Sequence, residues 1–83
     1  MDQKLAVEYS LDVRGKERGD AFRAARERLA DMAEEHILEL FINDGEALRT
    51  LPFALRADGH EILVSEPSQQ GVRLLVRKRS LIP

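Results

Sequence analysis

The chain has no cysteine in its 83 residues. That absence excludes disulfides, thiolate metal sites and a cysteine nucleophile, and it fits a reducing, cytoplasmic setting. Long apolar runs are missing too. The opening MDQKLAVEYS lacks the apolar stretch of a secretory leader. No segment approaches the ~20 apolar residues of a membrane span, so no membrane partner is expected. There is no excess of positive charge: 13 Lys and Arg stand against 15 Asp and Glu, a net charge of −2. A generic nucleic-acid partner is therefore not favoured. Repeats, linkers and low-complexity tracts are absent, and the length fits a single domain over 1–83. A domain this small buries only about 60% of its unfolded surface, enough for one thin core.

What is present is periodic. From Leu5 to Val13 the apolar residues Leu5, Val7, Tyr9, Leu11 and Val13 alternate with mostly polar ones, the mark of a half-buried strand. Gly15 and Gly19 break the pattern. From about Asp20 the spacing becomes helical, with Phe22, Ala25, Leu29 and Met32 on one stripe. Asp20 is the expected N-cap. HILELFIN has strand length. NDGEAL then reads as a helix start, with Asn43 as cap and Glu46 completing a capping box. Leu48, Leu51 and Leu55 form the stripe of this second helix. Pro52 lies inside it and is expected to kink or break it, turning Phe53 or Leu55 into the core. Gly59 is the expected left-handed terminator. HEILVSE and GVRLLVRK are strands joined by the turn PSQQG, a hairpin.

The order β-α-β-α-β-β, with right-handed crossovers, predicts a two-layer α/β (α+β) sandwich. Its mixed four-stranded sheet carries both helices on one face. By parity the covered face holds Val7, Leu11, Leu38, Leu40, Ile42, Ile62, Val64, Leu74 and Val76. The opposite face holds Glu8, Ser10, Glu39, Arg73 and Arg77 together with Ile37, Phe41, Leu63 and Leu75. Those four apolar residues would form an open-sheet interface, for self-association or another protein.

At this level of detail the chain resembles the TusA (SirA-like) sulfur-carrier family over nearly its full length. The family hallmark is a strand, then Leu-Asp-x-x-Gly-x-x-Cys-Pro-x-Pro, then a helix. Leu11, Asp12 and Gly15 match its first half, and Arg26 matches a basic residue common on the first helix. Asn43-Asp44-Gly45 corresponds to Asp-Asp-Pro before the second helix, and Arg49-Thr50-Leu51-Pro52 to Arg-x-Ile-Pro. Gly59-His60 and Leu75-Val76-Arg77-Lys78 match the third and fourth strands. The family cysteine, which the resemblance implies would carry sulfur as a persulfide, aligns with Arg18. The two prolines align with Gly19 and Ala21. A guanidinium is no nucleophile and carries no sulfur. The resemblance thus implies the fold and a partner from the sulfur-relay machinery, but not the transfer chemistry.

Other chemistry finds little support. Arg14, Lys16, Arg18 and Gly19 surround a helix N-terminus, with Arg23 and Arg26 a turn or so along the helix, and the basic residues offer an anion, nucleotide or partner contact. Glu17 and Asp20 oppose it. His36 and His60 each begin a strand, without the convergent ligands that zinc requires. No Ser-His-carboxylate triad is visible. No catalytic residue, metal or cofactor is expected.

Overall fold

The computed structural model describes residues 6–80. The elements run β1 (Val7–Asp12), α1 (Arg18–Asp31), β2 (Ile37–Ile42), α2 (Glu46–Ala57), β3 (Glu61–Ser68) and β4 (Gly71–Arg77). The sheet order is β1-β2-β4-β3, with β1 parallel to β2 and both β2 and β3 antiparallel to β4. This is the expected mixed sheet in two layers. The expected first residue of β1, Leu5, lies outside the described residues.

One core joins the layers. Ala21, Ala25 and Leu29 of α1 and Leu51 and Leu55 of α2 pack on Leu38, Leu40, Ile42, Leu74 and Val76 of the central strands. The central strands are nearly continuous apolar runs, as strands flanked on both edges should be. Small alanines on α1 let the helix sit close to the sheet.

Two β-bulges correct the expected sheet faces. The register shifts between Val7 and Tyr9, so Val7 pairs with Ile37 and Tyr9 with Leu38. Val7 thereby leaves the core and is 39% exposed. A second shift between Ile62 and Val64 pairs Val64 with Leu75, which places Val64 on the outer face. A bulge inserts one unpaired residue and so reverses strict alternation beyond it.

Helix ends also differ from the sequence reading. Helix α1 starts at Arg18, after extended Glu17, whose carbonyl accepts the Ala21 N–H at 2.8 Å. Asp20 is therefore in the first turn rather than at the cap, still well placed for the helix dipole. At the other end, Lys78 Nζ donates to the Leu29 and Met32 carbonyls at 2.6 and 3.1 Å. A cation there satisfies orphan carbonyls and complements the dipole. Helix α2 is capped by Gly45 at φ +77°, not by Asn43, and no Asn43–Glu46 capping box forms. Helix α2 runs unbroken through Pro52, with no break of the kind expected. Pro52 forfeits one N–H bond, yet it is buried, so packing offsets the loss. Leu55 enters the core as expected, while Phe53 is 68% exposed. Gly59, at φ +97°, terminates α2 as expected.

Candidate functional site

The β1–α1 junction is assembled from two loops. Lys16 N–H closes a turn onto the Val13 carbonyl at 3.2 Å, with Gly15 at φ +86°. Asn43, freed from capping, accepts the Gly15 N–H at 3.0 Å and donates to the Lys16 carbonyl at 3.5 Å. It thus ties the junction to the β2–α2 loop. Arg18, the first residue of α1, reaches across to Glu46, the first of α2, at 2.8 Å. A cavity of about 170 Å³ lies below, walled by Lys16, Arg18, Asn43, Asp44 and Glu46. Beside it, Phe22, Leu51 and Ala54 line a shallow apolar groove of about 190 Å³ that also touches Arg18 and Gly19.

Arg14 is fastened rather than presented. Its Nε and Nη2 donate to Asp12 Oδ1 and Oδ2 at 2.9 and 2.6 Å, and its backbone N–H donates to Oδ1 at 3.0 Å. Nη1 donates to the Gln69 carbonyl at 2.6 Å, and the guanidinium lies 5.3 Å over the Phe41 ring. This fork, from the Arg14 side chain first and its backbone second, lowers the Asp12 carboxyl from its ordinary 3.8 to about 2. A depressed carboxylate stabilises the fold above its unfolded value, near pH 4, and loses that contribution as pH falls toward 2. NMR titration of the Asp12 carboxyl should give a midpoint near 2, rising toward 3.8 in Arg14→Ala but staying below it, because alanine keeps the backbone N–H that donates to Oδ1. A wild-type midpoint near 4 would mean that the fork does not form in solution.

The other expected anion ligands are engaged as well. Arg23 pairs with Asp20 at 3.4 Å. Arg26 pairs with Asp58 at 2.9 Å and stacks 5.1 Å over Phe22. Only Lys16 of the five makes no ion pair among the described residues. Four of the five cations are thus engaged internally, which leaves little uncompensated charge for an anion.

The outer sheet face is not the apolar opening that the parity suggested. Ile37 and Leu75 are 5% and 4% exposed, and Phe41 and Leu63 are half-buried. Ser10, Glu39, Arg73 and Glu66 form a polar chain over all four strands, with Glu39–Arg73 at 2.6 Å and Arg73–Glu66 at 2.9 Å. Arg77 pairs with Glu61 at 3.1 Å. Leu75 lies between Arg73 and Arg77 along β4 and pairs across the sheet with Glu39 and Val64. Glu39 is held below the usual carboxylate range, chiefly by the Arg73 hydrogen bond.

The histidines stay apart from the junction and are half-buried. His60 Nδ1 accepts the Arg79 N–H at 3.1 Å, and burial lowers its pKa. His36 Nδ1 is buried without a partner, near the Tyr9 ring. Among the described residues no three His, Asp or Glu gather as a metal site. None of their helices is long and apolar enough to cross a membrane.

Fold and junction together define a small two-layer α/β domain whose first helix begins on an ion-paired arginine. No protein-family model and no curated protein matches the chain. Among the contacts that the sequence does not announce are the Asp12–Arg14 fork, signalled only by i, i+2 spacing across the strand end, and the Lys78 cap. The Arg49, Phe53, Arg56 stripe on α2 was legible at helical spacing and was also missed.

Proposed function

We propose that this chain is a non-catalytic, TusA-like binding module that docks on a component of sulfur trafficking without carrying sulfur. The observation that supports it most is the position of Arg18. It is the first residue of α1, its side chain is 59% exposed, and it is held by Glu46. In the family that the sequence resembles, a cysteine stands there. A thiolate would be stabilised by the helix N-terminus, whereas a guanidinium at that end offers only charge and hydrogen-bond donors. The adjoining groove of Phe22, Leu51 and Ala54 gives a partner an apolar foothold next to those donors. The alternative of an anion- or nucleotide-binding module has less behind it, because four of the five basic side chains are already paired.

The test is competition. Added to a cysteine desulfurase and a cysteine-bearing carrier, the chain should slow sulfur transfer to the carrier, and Arg18→Glu should relieve the slowing. Transfer unaffected at millimolar chain would overturn the proposal.

A further inference from the structure

Phe53 is the most exposed large apolar side chain of the described residues. On α2 it has Arg49 four residues before it and Arg56 three after, which puts all three on one helix face. Arg49 and Arg56 are exposed and make no ion pair among the described residues. Every other arginine except Arg28 is paired with a carboxylate. Arg28 itself reaches the Ser10 carbonyl at 3.5 Å. A lone exposed phenylalanine is ordinary. Uncompensated arginines on both sides of it are not, in a chain of net charge −2 that pairs nearly all its others.

We propose that this face of α2 docks an acidic helical segment of a partner protein. Arg49 and Arg56 are seven residues apart, a rise of ~10.5 Å along the helix. The matching partner places carboxylates seven residues apart, where each meets one guanidinium fork. Apolar side chains between them cover Phe53. An aromatic anchor flanked by arginines has the composition of an interface hot spot. A second copy of the chain fits poorly, since the same face repeated sets arginines against arginines. A lipid surface fits poorly too. The apolar stripe of α2, Leu51 and Leu55, is spent on the core, leaving one phenylalanine to insert. This inference rests on the reading of the chain as a protein-binding module.

The experiment titrates the isotope-labelled full chain with a synthetic helical peptide bearing Glu at i and i+7 and Leu at i+3 and i+4. Amide shifts should centre on Arg49 to Ala57. Arg49→Glu with Arg56→Glu should weaken binding at least about tenfold, and Phe53→Ser comparably. The same peptide with Lys for Glu should bind the charge-reversed variant and not the wild type. Absence of shifts at millimolar peptide, shifts centred elsewhere, or affinity indifferent to charge reversal would overturn it. So would capture by phosphatidylserine vesicles in place of the peptide. Competition for the desulfurase that is lost in Arg18→Glu but kept in the charge-reversed α2 variant would remove this surface and leave the module reading standing.

Discussion

Leu51→Ala should cost about 2–5 kcal/mol of stability, while Phe53→Ala two residues on should cost under about 0.5 kcal/mol. Leu51 is 2% exposed and packs with Leu55 against the sheet, and Phe53 is 68% exposed. The Leu51 loss combines the transfer free energy of the removed carbons with a cavity that a thin two-layer core cannot easily collapse. Urea denaturation reads it as a lower midpoint with an unchanged slope. A loss below about 0.5 kcal/mol for Leu51, or a larger loss for Phe53, would mean that α2 is rotated about its axis relative to the description above.

Gly71→Ala should be as damaging, for a different reason. Its φ lies outside the left-handed region, so an alanine there would ordinarily be neutral or slightly stabilising. Sterics reverse that sign. A Cβ at Gly71 would fall well inside contact with the Ile42 carbonyl oxygen, where β4 begins beside the end of β2. It would also lie 3.1 Å from Arg14 Cδ, on the side chain that reaches the Gln69 carbonyl. Backbone-to-backbone overlap has no rotamer to escape into. A cost of about 3 kcal/mol is expected, at the upper end for overpacking. In a domain of this size that lowers the melting midpoint by more than about 10 °C. A midpoint unchanged within about 2 °C would show that the strands do not meet so closely.

The architecture was legible because its signals are periodic. Alternation through Leu11 and Val13, the α1 stripe through Leu29, and the apolar runs of β2 and β4 each admit one solution. The failures are local. Strict alternation has no means of expressing a bulge, so it puts Val7 and Val64 on the covered face. Propensity treats Pro52 as a break, while burial against the core carries α2 through it. Asn43 has the chemistry of a cap but is used to join two loops, a choice made by tertiary contacts. The candidate site shows the same division. Arg18 at the junction between β1 and α1 could be read from the strand–glycine–helix pattern, but not that it opens the helix, since Asp20 has the chemistry of a cap. The pairing of Arg18 with Glu46, 28 residues away, could not be read either. The burial of Leu75 was hidden as well, because its neighbours Glu39 and Val64 are set by cross-strand register, which includes the β3 bulge.

The junction runs from strand through turn to helix, and the proposed binding module transfers no sulfur from it. Intact mass under non-reducing conditions, after incubation with a cysteine desulfurase and cysteine, measures this most directly. Arg18→Cys with Gly19→Pro serves beside the wild type. The wild-type mass should be unchanged. The double variant should gain sulfur, and its thiol should alkylate well below the pH that an unperturbed cysteine, pKa about 8.5, requires. A wild type heavier by one sulfur atom would contradict the non-catalytic reading. A double variant whose thiol reacts no faster than a free cysteine peptide would contradict the geometry of the junction.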